Sequence, residues 1–237
     1  MNLLVWNVEW AAPRSKRGAA IQGIIADLQP DVICMTEGTA SMLPGAGHTI
    51  EASPDYGYGA TGERRKVLLW SRSPWIDVDR VGDSEMPGGR FIAGTTGGLR
   101  FVGVCIPWRD AHVRTGRKDR EPWQDHLAYL AGLRRALEAT DGPAVVAGDF
   151  NQRLPRRRQP TAVHEALTGA MGSSWKIISA GVVDDDGADL IDHVAVSPEL
   201  DGRVTGSIPR ATPDGVRLSD HPGVLVEIRV GSGSKES

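Results

Sequence analysis

The chain has 237 residues, 40% of them hydrophobic, and a formal net charge of −3, a composition ordinary for one globular unit. No apolar run approaches the roughly 18 residues that a membrane-crossing helix needs, and the mild acidity argues against indiscriminate polyanion binding. A chain without membrane segments, and cytoplasmic, is therefore expected: the opening MNLLVWNVEW reads as a strand and not as a secretory leader.

In chain order, LLVWNVEW is a short buried strand. RGAAIQGIIADLQP follows with apolar positions at helical spacing, Ala20, Ile24, Ile25 and Leu28, and stops at Pro30. DVICMTE is a buried strand and KVLLWS another. FIAGTT and LRFVGVCIPW, joined by Gly97-Gly98, predict a hairpin with a two-residue turn. PWQDHLAYLAGLRRALEAT predicts an amphipathic helix with Leu127, Leu130, Leu133 and Leu137 on one face. PAVVAGDFN is an apolar strand ending in polar residues, TAVHEALTGAM a shorter helix, and LIDHVAVS and HPGVLVEIRV the last strands. One domain over residues 1–230 is expected, and GSGSKES, residues 231–237, has nothing apolar to anchor it and reads as disordered. Cys34 and Cys105 lie in apolar runs and read as small core residues, with no disulfide framework. Hairpin signals with few helices predict two packed sheets with helices outside them.

The polar residues that interrupt these runs carry the chemistry. In GDFN, strand alternation would put Asp149 and Asn151 on one face and Phe150 in the core. The carboxylate can take a proton from water and the amide can donate to a nucleophile or a phosphoryl oxygen. Taken alone, GDFN reads first as a Gly-Asp turn after a core strand. In SDHP, Asp220 could reach a metal while His221 faces a phosphate, and Asp192 in LIDHV is the carboxylate available to orient the imidazole. By itself that tetrapeptide is also a plausible solvated turn. Glu37, closing DVICMTE, is a hard oxygen ligand suited to Mg²⁺ or Mn²⁺, and Asn7 interrupts an apolar strand.

WNVEW, ICMTEG, GDFN, LIDHV and SDHPG, in that order over nearly the whole chain, resemble the endonuclease/exonuclease/phosphatase family, the deoxyribonuclease I and exonuclease III type. The resemblance implies a four-layer α/β sandwich, with two packed, mostly antiparallel sheets flanked by helices. It implies a catalytic set of Asp149, Asn151, Asp192, His221 and Asn7, and metal contacts from Glu37, Asp220 and Asn7 to Mg²⁺ or Mn²⁺. Where many members carry a Tyr or His phosphate donor, this sequence has Cys105, which cannot substitute. Trp108, Arg109 and His112 are the candidates to supply that contact.

Arg14 to Arg17, Arg109 to Arg120 and Arg153 to Arg158 each follow a site strand and together hold twelve Lys or Arg against two Asp. With Trp10 and Trp108 nearby, such a rim suits a nucleic-acid strand, DNA first, with Arg153 among its contacts. A small phosphorylated metabolite is the competing substrate, and a silent binding protein on the same fold is a third reading. No feature of the sequence bears on oligomeric state.

Overall fold

The computed structural model describes residues 1–59 and 62–231; most of the tail GSGSKES, residues 232–237, lies outside them. Two six-stranded sheets face each other. The first is ordered β11 (Leu200–Ile208), β12 (Gly223–Val230), β1 (Asn2–Asn7), β2 (Val32–Gly38), β4 (Arg65–Ser71), β3 (His48–Glu51). The second is ordered β5 (Ile76–Asp79), β6 (Phe91–Thr96), β7 (Leu99–Cys105), β8 (Ala144–Asp149), β10 (Asp192–Val196), β9 (Lys176–Ile177). Pairing is antiparallel throughout except for one parallel pair per sheet, β1 with β2 and β7 with β8. The expected Gly97-Gly98 hairpin is present, with Thr96 opposite Leu99.

Strand alternation divides the apolar residues into layers. Leu3 and Val5 of β1, Cys34 of β2, Val145 and Ala147 of β8 and Val194 and Val196 of β10 fill the space between the sheets. Leu4, Trp6, Ile33 and Met35 face outward, onto helix α1 (Lys16–Leu28). On the other side Val102, Val104, Val146 and Ala195 face α2 (Gln124–Glu138) and α3 (Thr161–Met171). The result is the four-layer α/β sandwich.

The helix faces differ from their sequence reading by a fraction of a turn. In α1 the buried apolar pair is Ile21 and Ile25, one turn apart, and Leu28 is exposed. In α2 Leu130, Leu133 and Leu137 are buried with Tyr129, while Leu127 is exposed. Four strands have no counterpart in the sequence reading: β3, β5, β9 and β11. The first three are edge strands of two to four residues, and β11 is an edge strand that mixes exposed and half-buried positions.

Candidate active site

The parallel pairs make the site possible. β1 and β2 run the same way in one sheet, β7 and β8 in the other, and their carboxyl ends reach the same end of the sandwich. The antiparallel β10 begins where β8 ends, with Asp192 opposite Asp149 in register. Alternation then sets direction: Asn7 continues the inward set Leu3, Val5; Asp149 continues Val145, Ala147; Asp192 precedes Val194, Val196. Three polar side chains thus end the inter-sheet core from three strands, each 3% exposed or less.

Asp149 is the centre. Its Oδ2 accepts from Asn7 Nδ2 at 3.2 Å and from Asn151 Nδ2 at 2.9 Å, and its Oδ1 accepts from the Asn151 backbone N–H at 2.9 Å. Asn151 also donates to the Ile106 carbonyl at 2.8 Å. Asp149 and Asn151 do meet, but not by strand alternation: β8 stops at Asp149, and Asn151 folds back over it with φ of 53°. Burial pushes the Asp149 carboxyl up to about 7; the charges of Asp192 and Glu37 push the same way, and His221 opposes them.

His221 Nδ1 donates to Asp192 Oδ2 at 2.5 Å, joining the two sheets. Burial works against the imidazolium. The charge and hydrogen bond of Asp192, with Asp149 and Asp220, outweigh that penalty and raise His221 to about 10. The ring is therefore a cation at neutral pH, with Nε2 3.8 Å from Asp220 Oδ1. Asp220 itself is exposed. Ser219, which sequence reasoning left without a role, anchors this loop: its Oγ donates to the Asn7 carbonyl at 2.6 Å and accepts from the His221 N–H at 3.2 Å.

Glu37, next to last in β2, has φ of 52°, and its Oε1 lies 2.5 Å from Lys66 Nζ of β4. Lys66 was not singled out in the sequence; a charge beginning the buried run KVLLWS was its one signal. Donor atoms of Asp149, Asp192 and His221 all lie within 4.8 Å of one another, close enough to hold a metal ion. A protonated imidazole is no ligand, however. Oxygens are what suit a hard divalent ion: Asp192 Oδ1 is a buried acceptor without a hydrogen-bond partner, while the Glu37 carboxylate, paired with Lys66, lies outside this cluster.

One expected substrate contact is corrected. His112 is 1% exposed, with Nε2 3.1 Å from the Tyr56 carbonyl and Nδ1 accepting from the Arg117 N–H, so neither nitrogen is free for phosphate. Trp108 is exposed, Arg109 is exposed beside Asp110, and Arg153 is exposed, with no ion pair among the described residues though its charge acts on Asp189. The basic rim is thinner than its sequence suggests. Arg17 pairs with Glu9, Arg117 and Arg120 with Asp125, and Arg157 with Asp189. Under the site, His126 and His193 are buried structural histidines bonded to Gln152, each lowered by burial to about 4.

A family model described as the Endonuclease/Exonuclease/phosphatase family matches residues 4–221. Among curated proteins none matches the chain. Among solved structures it is similar to an AP endonuclease from Archaeoglobus fulgidus, at 17% identity and a TM-score of 0.69, covering 97% of this chain and 100% of that one. It is similar to the 3′ phosphatase NExo from Neisseria bound to a product DNA hairpin, at 20% identity and 0.71, covering 97% and 99%. A third is TDP2 from D. rerio complexed with a single-strand DNA product, at 13% identity and 0.65, covering 97% and 99%. At these identities the likeness is one of fold. Among the described residues no helix is long and apolar enough to cross a membrane.

Proposed function

The chain belongs to the endonuclease/exonuclease/phosphatase family, hydrolases of phosphoester bonds, and from that premise we propose that it is a divalent-metal-dependent nuclease acting on DNA, with residues 1–230 as one catalytic unit. The observation that carries the chemistry is the buried constellation in which two amides hold Asp149 beside the Asp192–His221 pair.

In this reading Asp149 is the general base. It is poised near neutrality by burial and neighbouring carboxylates, where a base both exists ionised and still attracts a proton. Asn7 and Asn151 fix its orientation, and Asn151 is placed to donate to the attacking water or a phosphoryl oxygen. His221, kept protonated by Asp192, offers Nε2–H to the charge that develops on the phosphoryl group. Glu37 and Asn7 would hold Mg²⁺ or Mn²⁺, with Asp220 contributing from the exposed side. When bound, such an ion supplies charge neutralisation on the phosphoryl and leaving oxygens.

The DNA assignment draws support from Trp108, Arg109 and Arg153 at the exposed margin, and from the NExo and TDP2 structures, which hold DNA products. The test is hydrolysis of double-stranded DNA, single-stranded DNA, RNA and small phosphoesters with Mg²⁺, Mn²⁺ or EDTA. Metal-dependent DNA cleavage is expected. Cleavage confined to a small phosphoester would replace the nuclease with a metabolite phosphatase, and silence on every substrate would favour a binding protein.

A further inference from the structure

Beside the catalytic centre lies a cavity of about 660 Å³ lined by Trp10, Tyr56, Tyr58, Trp108, Arg64 and Lys66 among others. It touches the site on two sides. Lys66 reaches Glu37, the Trp10 N–H donates to the Glu37 carbonyl at 2.7 Å, and Trp108 follows Ile106, whose carbonyl holds Asn151. The walls are aromatic and ordered: Trp10 and Tyr56 are stacked with ring centroids 6.0 Å apart and planes 18° apart, and Tyr58 packs on His112 at 4.4 Å.

The cavity also carries cations, Arg64 and Lys66, of which Lys66 is paired with Glu37. Lys66 Nζ lies 5.0 Å from the Trp10 ring and 5.4 Å from the Tyr56 ring, and Arg64 lies 5.4 Å from Trp10. Behind the tyrosines Arg90 is 2% exposed, yet no carboxylate pairs with it among the described residues. Among the described residues its guanidinium makes one hydrogen bond, a 3.4 Å contact to the Cys105 carbonyl, and its Nη2 is buried with no partner. A buried guanidinium without a counter-charge is costly, and Arg90, although it does not line the cavity, acts on both tyrosines of its wall. Burial pushes the Tyr56 phenol up and the Glu37 charge adds to it, whereas Lys66, Arg64 and Arg90 pull it down, so three cations and one carboxylate act on this wall.

Stacking faces and Arg64 at the rim together select a ligand that is both flat and anionic. We propose that this cavity seats the base of an unpaired nucleotide whose phosphate lies at the Asp149–His221 centre, so that the preferred substrate is single-stranded DNA or a frayed end. A base inside a duplex has both faces covered by its neighbours and reaches aromatic walls only after unstacking, whereas an unpaired base meets no such cost. The volume lies within the range of pockets that enclose a small organic ligand. The inference rests on the nuclease reading for its phosphate position, but base binding can be measured without turnover.

Fluorescence anisotropy in EDTA would compare a labelled thymidine hexamer with the same backbone lacking bases. The hexamer is expected to bind about tenfold tighter or more. Trp108→Ala, at an exposed position, is expected to weaken the hexamer more than the abasic strand and so erase that preference, and Trp10→Ala provides a second wall. Equal affinity of the two strands, or no binding of the hexamer, would overturn the pocket. Base-dependent binding without metal-dependent cleavage would sink the nuclease and leave the pocket. Cleavage with no base preference would do the reverse.

Discussion

Asn7 and Asp149, 142 residues apart, meet across the two sheets with Asn7 Nδ2 donating to Asp149 Oδ2 at 3.2 Å. The bond has a definite polarity, amide to carboxylate, and the Asn151 amide donates to the same oxygen. Asp149→Asn keeps the size of the side chain and removes the proton acceptor. Hydrolysis is expected to fall by about 10²- to 10⁴-fold, the range for losing a positioned general base, while thermal unfolding stays cooperative and DNA binding persists. Activity within a factor of two of wild type would remove Asp149 from the reaction.

Most of that geometry is legible in the sequence, because Asn7, Asp149 and Asp192 all extend the inward register of an apolar strand. GDFN and SDHP mark strand ends, where polar groups can be buried at a site without breaking a core. What periodicity could not show is where backbones leave the regular path. Asn151 and Glu37 adopt positive φ, so alternation gave the right neighbour for Asn151 by the wrong route. Neither could it foresee that His112 would be buried against Tyr56, nor that carboxylates remote in sequence, such as Asp125 and Asp189, would draw basic loop residues back onto the fold. Short edge strands such as β9 carry too few residues for any pattern.

Ser219 ties the two halves of the site by one hydroxyl, donating to Asn7 and accepting from His221. Ser219→Ala leaves a buried carbonyl and a buried N–H unpaired, a loss of about 1–3 kcal/mol. Thermal unfolding should fall by several degrees. Catalysis should fall with it, because His221 loses a constraint on its backbone. An unchanged melting temperature would mean that the loop is held elsewhere.

Lys66 Nζ occupies Glu37 Oε1 at 2.5 Å, so a divalent cation must compete with it for that carboxylate. Lys66→Met keeps the aliphatic stem and removes the charge. Calorimetric titration with Mn²⁺ is expected to show affinity about tenfold tighter, near 1.4 kcal/mol. Equal affinity in the two proteins would argue that Glu37 is not a ligand.

Arg153 and Arg157 sit four residues apart in one loop, but Arg157 is bonded to Asp189 through two nitrogens, whereas Arg153 acts on Asp189 only at longer range and makes no ion pair among the described residues. Arg153→Ala should reduce the slope of log affinity against log salt for a single strand by about 0.7, one phosphate contact. Arg157→Ala should change it less, since that charge is already neutralised within the protein. Equal slopes for wild type and Arg153→Ala would place the strand elsewhere.

The two perturbed groups of the site predict opposite limbs of a pH profile. Burial, then Asp192 and Glu37, raise Asp149 to about 7, and Asp192 outweighs burial to raise His221 to about 10. A reaction that needs Asp149 ionised and His221 protonated should rise through about 7 and fall beyond about 10, as apparent values of the coupled pair. Stability carries its own sign. Between the ordinary carboxylate value of 3.8 and about 7 the native state holds a proton on Asp149 that the unfolded chain has lost, so stability falls as pH rises through that window. The raised His221 contributes stability that is complete below 6.5 and is lost by about 10. Melting temperatures measured from pH 4 to 10 should therefore fall more steeply between pH 4 and 7 in wild type than in Asp149→Asn, which has no carboxyl to titrate there. Parallel curves for the two proteins would show that Asp149 keeps an ordinary carboxylate pKa, and a rate profile flat between pH 6 and 8 would say the same of its role as base.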